Sequence, residues 1–339
     1  MNRPIRFVAI GLDHRHIYGQ VRNMLDTGAE CLGYWTEGIP ETLPGFLRRF
    51  PDLPRFDSRA ELLSLSELDL AVIAAAPGDR AGLAVEAMEK GVDVMTDKPG
   101  CITLAQLDRI RAVAARTGRI WSVNFSERFE VPAVTRAAEL TAEGAIGRVV
   151  QTIGLGPHRL NRATRPAWFF ERSAHGGILC DIASHQIDQF LFFTGATEAE
   201  IVHAAVGNYA NPGDPGFQDF GEIALQSPEG HGYIRVDWYT PDALPTWGDG
   251  RLTILGTEGY IEVRKYVDVG GAEGTDHLLL VNGTYCEKTT CPDAGLPYFA
   301  RLADDIRNRT ETAVPQAHVF KVMELAIKAQ EIAEARALR

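Results

Sequence analysis

The sequence holds no apolar run approaching the 18 or so residues that a membrane-spanning helix needs. Its start, MNRPIRFVAIGLDH, has only a short apolar stretch that runs directly into a turn. The long apolar core and small-residue cleavage site of a signal peptide are missing. Cysteines are few: Cys31, Cys101, Cys180, Cys286 and Cys291 are odd in number, widely spaced and without a CxxC pair. A disulfide framework and a structural zinc site are thereby excluded, and reduced thiols in a cytoplasmic protein are the expectation. Positive charge is also short. Lys and Arg total 34 against 45 Asp and Glu, a net charge of −11, so neither nucleic acid nor an anionic membrane is expected as the main partner. There is no internal repeat and no low-complexity tract.

What is present is ordinary for a folded chain. The 339 residues are 45% hydrophobic and 23% charged, near globular averages, and their length suits two domains or at most three. The first 125 or so residues alternate short apolar runs with helix-like stretches. The runs Ile5–Ile10, Glu30–Tyr34, Leu70–Ala75, Val92–Thr96 and Ile120–Val123 read as parallel strands buried on both faces. Helices are predicted over His16–Thr27, Pro40–Arg49, Arg80–Lys90 and Leu104–Arg116, with Gly28, Gly91 and Gly118 just past three of the helix ends. This repetition implies a doubly wound parallel sheet. Beyond it come a helix at Pro132–Ala142, a strand at Val149–Leu155 and a long helix at Gly177–Phe193. Short strands follow at Ile201–Val206, Glu222–Gln226, Gly232–Trp238, Arg251–Leu255 and Tyr260–Val263. They imply an antiparallel or mixed sheet. Helices near Pro297–Asn308 and Val319–Ala335 close the chain. The domains are therefore drawn as 1–124 and 125–339, with the last helices free to return to the first domain.

A dinucleotide needs a glycine where the first strand turns into the first helix, because the chain bends sharply and backbone amides must approach the pyrophosphate. Gly11 fits, followed by Leu12, Asp13 and His14. Asp13 and His16 occupy the places of the second and third glycines of GxGxxG, so the motif is degenerate and also compatible with any strand–helix turn. The second strand ends Gly33-Tyr34-Trp35-Thr36-Glu37, with Trp35 or Thr36 where an acid usually meets the adenosine ribose. No Arg stands nearby in sequence to await a 2′-phosphate, which favours NAD over NADP. The third strand ends Ala74-Ala75-Ala76-Pro77, small residues that leave room for a ligand.

Two segments carry candidate chemistry. Asp97-Lys98-Pro99 closes the fourth strand, where an ammonium at the carboxyl edge could donate to a substrate hydroxyl or remain a surface lysine. In the long helix, Asp181 and His185 are four residues apart on one face, with Asp188 three beyond. Three titratable groups on an apolar helix are costly to bury without a partner or a purpose. They read either as a tuned imidazole or as a core hydrogen-bond network. No fourth ligand is evident, so no metal site is expected, and His14 and His16 are read as neighbours of the cofactor.

These segments together resemble the Gfo/Idh/MocA oxidoreductase family, which includes glucose–fructose oxidoreductase and inositol dehydrogenases. Asp97-Lys98-Pro99 matches the family's EKP with Asp for Glu. Gly176 to His185 matches its glycine-rich segment and D-x-G-x-H, with His175 and Ala183 in place of two glycines. Gly256-Thr257-Glu258-Gly259 resembles another family turn. The resemblance spans nearly the whole chain. It implies a Rossmann domain followed by an α/β domain whose large, open, mostly antiparallel sheet makes a homodimer or homotetramer. It implies a catalytic group of Lys98, Asp181 and His185, in which Lys98 hydrogen-bonds the reacting oxygen, His185 acts as general base or acid and Asp181 positions substrate. Whether lysine or histidine takes the proton stays open. The implied cofactor is NAD or NADP, held by Gly11, Leu12, Asp13, His14, Trp35, Thr36, Ala75, Ala76, Pro77, Asp97 and Lys98. The implied substrate is a sugar, inositol or related polyol, contacted by Asn124, Arg128, His158, Arg165 and Trp168. Relatives that cleave glycosides through transient oxidation, or that serve as ligand sensors, supply the alternatives. Retention of both Lys98 and His185 argues against a sensor.

Overall fold

The computed structural model describes residues 3–337. The chain separates into two compact units. The first contains the chain up to Asn124 together with Pro166–Gly176 and Pro297–Met323. The second contains Phe125–Arg165, Gly177–Leu296 and Glu324–Arg339. Both returning segments of the first unit lie beyond the single cut drawn from sequence.

In the first unit, five strands are β1 (Arg6–Ile10), β2 (Glu30–Trp35), β3 (Leu70–Ile73), β4 (Asp93–Asp97) and β5 (Trp121–Asn124). All pair in parallel, in the order β2-β1-β3-β4-β5. Strands β3, β4 and β5 are buried at every position, which is why each reads as an unbroken apolar run or tolerates only polar groups with partners. The connecting helices are α1 (Ile17–Asp26), α2 (Leu43–Arg49), α3 (Arg59–Leu62), α4 (Pro77–Glu89) and α5 (Leu104–Thr117). α4 begins on Pro77, whose missing N–H is one the first turn of a helix leaves unpaired anyway. The order places a switch point between β1 and β3, since the chain leaves β1 toward β2 and returns on the other side; ligands of doubly wound sheets bind there, at the strands' carboxyl ends.

In the second unit, α6 (Ser126–Phe129) and α7 (Pro132–Ala142) lead into β6 (Val149–Pro157). After the first unit's α8 (Arg172–His175) comes a single π-helical turn, Leu179–Ala183, which runs into α9 (Ser184–Thr194). Seven strands follow: β7 (Glu200–Gly207), β8 (Phe220–Gln226), β9 (His231–Asp237), β10 (Arg251–Gly256), β11 (Gly259–Arg264), β12 (His277–Asn282) and β13 (Cys286–Thr290). They form one eight-stranded sheet with β6, in the order β13-β12-β11-β10-β6-β9-β8-β7. Every pairing is antiparallel except β6 with β9. Helices α10 (Pro297–Asn308) and α11 (Gln316–Ala337) end the chain. The expectation of a parallel sheet followed by a mostly antiparallel one holds; β12 and β13 are additions, β13 being exposed along its whole length.

The sheet is floored with glycine where the π turn and α9 lie on it. A Cβ on Gly154 of β6 would meet the Gln186 Cγ at 2.5 Å, and one on Gly156 the Ile182 side chain at 2.9 Å. A Cβ on Gly232 of β9 would meet Phe190 at 2.8 Å, and one on Gly221 of β8 would meet Leu179 at 2.6 Å. Three strands thus give up side chains so that one helix can approach their backbones. The helix is also held from its side. Arg128 of α6 donates from Nε and Nη2 to both oxygens of Asp188, at 2.7 and 2.6 Å, and Asp188 is fully buried. Its guanidinium sits between the rings of Phe129 and Phe192.

Two outcomes follow from this seating. Gly154→Ala should cost about 1–3 kcal/mol through overpacking, read as a lower denaturant midpoint, whereas Gly283→Ala, where an added Cβ meets nothing within 4 Å, should leave the midpoint nearly unchanged. Arg128→Ala should cost about 3–5 kcal/mol, because it strips a buried carboxylate of its cation. An Arg128→Ala midpoint equal to that of the parent would show that the pair does not hold α9.

Candidate active site

The first unit gathers its predicted residues at the carboxyl ends of β1 to β5. Gly11 has φ +68°, and a Cβ there would lie 2.7 Å from the Ala75 Cα. Only glycine satisfies both demands. Its amide donates to the Trp35 carbonyl at 2.8 Å, so it ties β1 to β2. Leu12 is buried, and its amide donates to the Thr36 hydroxyl at 3.2 Å. The Thr36 side chain therefore faces inward. Ala75, Ala76 and Pro77 are buried at the start of α4. Burial, aided by Asp79 and opposed by Arg80, raises Asp13 to about 6.

The strongest feature of this cluster is Asp97, fully buried at the end of β4. Its Oδ1 accepts from His16 Nδ1 at 2.9 Å and from the Lys98 amide at 2.8 Å. Its Oδ2 lies 2.7 Å from His14 Nδ1 and accepts from Arg80 Nη2 at 3.1 Å. Burial works against the charge, but His16, Arg80 and His14 together hold this carboxyl well below the usual range. Arg80 is itself buried and donates to the carbonyls of Ala75 (2.7 Å), Lys98 and Pro99 (3.0 Å). The cis Lys98–Pro99 peptide is thus gripped from both sides, and Lys98 is only 4% exposed. Asn124 is fully buried at the end of β5, paired in register with Asp97.

His14, His16 and Asp97 are also the one group among the described residues whose ligand atoms all lie within 4.8 Å of one another. The 2.9 Å His16 contact is a hydrogen bond, His14 Nδ1 lies 2.7 Å from the other oxygen, and Arg80 already holds the same carboxylate. The cluster is built around Asp97, which Arg80 and His16 hold by hydrogen bonds.

The end of β2 requires a correction. Sequence proximity shows no Arg near Trp35 and Thr36, but the fold brings two. Arg55 Nη2 donates to the carbonyls of Thr36 (3.2 Å) and Gly38 (3.0 Å), and the Arg59 guanidinium lies 4.8 Å from the centre of the Trp35 ring. They arrive because residues 54–56 fold back along β2, where Tyr34 and Arg55 form a bridge. The argument for NAD from a missing Arg therefore does not stand.

The second unit carries Asp181 and His185, 6% and 2% exposed. Asp181 lies within the π turn, and His185 follows in the first turn of α9. The helix is therefore not a uniform 3.6-residue spiral across them, and single π turns of this kind recur at functional positions. The Phe125 ring meets the His185 imidazole edge-on, 6.5 Å between centroids. Asp188, grouped with them by spacing, accepts two hydrogen bonds from Arg128.

The predicted substrate contacts divide. Arg128 is engaged with Asp188, which makes it a holder of α9. His158 and Arg165 do come together, against an indole that the sequence did not single out. The His158 ring packs edge-on against Trp238 (5.3 Å) and Trp247 (4.4 Å), and the Arg165 guanidinium lies 4.9 Å from the Trp238 centroid. His158 Nδ1 lies 3.0 Å from the Gly156 carbonyl and carries the proton, since a carbonyl only accepts. Trp168 belongs to the first unit, packed on Phe169, which also meets His175.

Among the described residues no helix is long and apolar enough to cross a membrane. Two family models match the chain. Residues 27–125 match the oxidoreductase family with an NAD-binding Rossmann fold, and residues 134–262 match the GFO/IDH/MocA C-terminal domain. The first match begins past the β1 turn. A crystal structure from Erwinia carotovora atroseptica SCRI1043, described only as an oxidoreductase, is 46% identical with a TM-score of 0.93, covering 97% of this chain and 98% of that one. The uncharacterized oxidoreductase YdgJ of Escherichia coli (strain K12) is 28% identical over 80% of each chain. The scyllo-inositol 2-dehydrogenase (NAD(+)) of Bacillus subtilis (strain 168) is 25% identical over 63% of this chain and 62% of its own. Levoglucosan dehydrogenase, solved with NADH and levoglucosan, shares the fold at 18% identity and a TM-score of 0.79 over 98% of both chains. With its Rossmann unit, its eight-stranded sheet and these matches, the chain is an oxidoreductase that belongs to the Gfo/Idh/MocA family.

Proposed function

We propose that this enzyme moves hydride between a nicotinamide dinucleotide and a secondary alcohol carbon of a sugar, inositol or related polyol. The observation that carries the reading is Lys98, a buried lysine at the carboxyl end of a central parallel strand, with its backbone fixed by Asp97 and Arg80. Gly11, the small residues after β3 and the buried Thr36 suit a dinucleotide at the same strand ends. When bound, the nicotinamide accepts or supplies the hydride.

The protein's own task is alignment and proton management. Lys98 hydrogen-bonds the reacting oxygen and disfavours its neutral, unpolarised form. His185 exchanges the hydroxyl proton, being the side chain whose ordinary range lies nearest neutral pH. Asp181, one helical step away, positions the substrate hydroxyls. His158, Arg165, Trp238 and Trp247 combine an apolar aromatic wall with polar donors, the mixture that a polyhydroxylated ring calls for. The scyllo-inositol dehydrogenase among the relatives supports the substrate class. NAD and NADP both remain candidates: Arg55 and Arg59 suit a 2′-phosphate, and Glu37 on the same turn suits a ribose diol. The outer face of the eight-stranded sheet is the surface on which two copies would associate.

The first test is thermal stability with NAD, NADH, NADP and NADPH in parallel. Free nucleotide at about 100 times its dissociation constant should add about 2.7 kcal/mol of apparent stability. A screen of sugars and inositols with the nucleotide that shifts the transition should then give turnover. In that assay, His185→Asn should lower kcat by roughly 10²–10⁴-fold, the usual worth of a positioned acid or base, with nucleotide affinity unchanged. Lys98→Ala should abolish turnover while the fold persists. A kcat in His185→Asn within a few-fold of the parent would return this histidine to the core network, and ligand binding without turnover on any substrate would favour the sensor reading.

A further inference from the structure

The carboxyl ends of β1 and β4 bring two imidazoles and one carboxylate together. His14 and His16 are separated by one residue, so a single tight turn presents both rings, which meet edge-on with centroids 4.3 Å apart. The turn is fixed through its backbone: the His14 amide donates to the Ala74 carbonyl at 3.0 Å, and the His14 carbonyl accepts from the Ile17 amide at 3.3 Å. Asp97 enters from the end of the fourth strand and is fully buried. One ligand atom from each of the three residues lies within 4.8 Å of the other two, and both contacts with Asp97 are made by Nδ1.

The lone pairs of the carboxylate are not all used. An ionised carboxylate offers about four of them. Oδ1 accepts from His16 Nδ1 at 2.9 Å and from the Lys98 amide at 2.8 Å, and Oδ2 accepts from Arg80 Nη2 at 3.1 Å. One lone pair of Oδ2 is left. His14 Nδ1 stands 2.7 Å from that oxygen, buried, and makes no hydrogen bond. A buried polar atom in this state is rare and asks for a reason. A nitrogen and a carboxylate oxygen so close, with no proton aligned between them, are two electron-pair donors that a cation would join.

We propose that His14, His16 and Asp97 form a binding site for a divalent transition-metal ion of the zinc class, held by the two Nδ1 atoms and a carboxylate oxygen. Two imidazoles and a carboxylate are a borderline donor set, which zinc, cobalt and nickel favour over magnesium and calcium. Three protein ligands leave the fourth corner of a tetrahedron to water or to a ligand atom. With metal–ligand bonds of about 2.0–2.1 Å, tetrahedral ligand atoms stand about 3.3–3.5 Å apart, so each ring draws back from Asp97 by roughly half an ångström. The rings have that freedom, and an ion a way in, because 21% and 24% of their side-chain surfaces are accessible. On loading, the proton on His16 Nδ1 passes through solvent to Nε2, and the freed lone pair faces the ion while the ring stays neutral. The outer shell is already built. Arg80 and the Lys98 amide orient the carboxylate, and Arg80 is itself locked by the carbonyls of Ala75 and Pro99. The charges of Arg80 and Asp97 cancel, so the loaded site keeps the charge of the ion and its fourth position suits an anionic oxygen. The inference does not depend on the hydride-transfer reading.

The experiment is equilibrium dialysis of the chelator-treated full chain against Zn²⁺, with Mg²⁺ in excess and no nucleotide, so its outcome is separable from the functional reading. One zinc per chain should be retained. The His14→Gln, His16→Gln double variant, with its far-UV circular dichroism unchanged, should lose affinity by more than the roughly 10–100-fold that removal of an outer-shell partner costs. X-ray absorption of the zinc-loaded parent needs no variant and decides the matter even if the double variant fails to fold. It should show only nitrogen and oxygen neighbours, at about 2.0–2.1 Å, with the scattering of two imidazoles. A parent chain that retains no zinc would overturn the proposal, as would a folded double variant that binds it equally well. A sulfur neighbour at about 2.3 Å would also overturn it, by moving the ion to a cysteine.

Discussion

A single buried carboxylate organises the first unit. Asp97 accepts three hydrogen bonds, from the His16 imidazole of the β1 turn, the Arg80 guanidinium of α4 and the amide of Lys98 in its own turn, and His14 Nδ1 lies 2.7 Å from its other face. Burying a charge without such partners costs several kcal/mol, so none of these segments can move far without exposing the carboxylate to that penalty. Arg80 extends the constraint by donating to carbonyls after β3 and β4. The positions of the glycine turn, the small-residue turn and Lys98 are consequences of one ionic hub. Asp for Glu in the family's EKP matters here. The Asp97 Oδ1 accepts from both the Lys98 amide and His16 Nδ1.

The second unit solves a different problem, which is to hold a polar helix against a sheet. Asp181, Ser184, His185, Gln186, Asp188 and Gln189 are all buried, a sequence of groups that no apolar packing would tolerate. Glycines on β6, β9 and β8 let the helix backbone descend until its apolar side chains fill the pleat, and Arg128 neutralises the carboxylate at the far end. The π turn adds one residue to the spiral at Asp181. Close seating and a local change of pitch are both ways of presenting polar groups on a helix that is otherwise core.

Much of this was legible beforehand, for reasons that differ by element. The strands β1 to β5 announce themselves because parallel strands with both faces covered are mostly apolar, and short apolar runs mark each of them. Helix α7 and helix α10 fall where their spacing puts them. β13, CEKTT, carries no apolar alternation because it is an exposed edge, and it could not be read. The stripe Asp181, His185 and Asp188 was visible, but spacing assumes a regular helix and cannot show a π turn or assign Asp188 to Arg128. Arg80 gave no signal, since nothing local distinguishes an arginine one turn into a helix from a solvated one. Arg55 was missed for a related reason: it reaches the β2 end through a bridge formed by chain folding, twenty residues on. Trp238 and Trp247 likewise belong to a wall assembled from strand and loop ends. The residues that sequence could not supply are those whose role is set by partners distant in the chain.

The degenerate first motif illustrates how such a departure can be compatible with function. Of the three glycines, the first answers a backbone demand, and here the demand is visible in a positive φ and a contact with Ala75 that no side chain would survive. The later glycines answer a different demand: they clear space so that amides can face a phosphate. That second demand is for donors near an anion, and amides are only one way to meet it. A side chain in their place blocks the amides but brings its own chemistry, provided it is held still and its far edge can donate. The His16 imidazole meets the first condition through its Nδ1 hydrogen bond to Asp97.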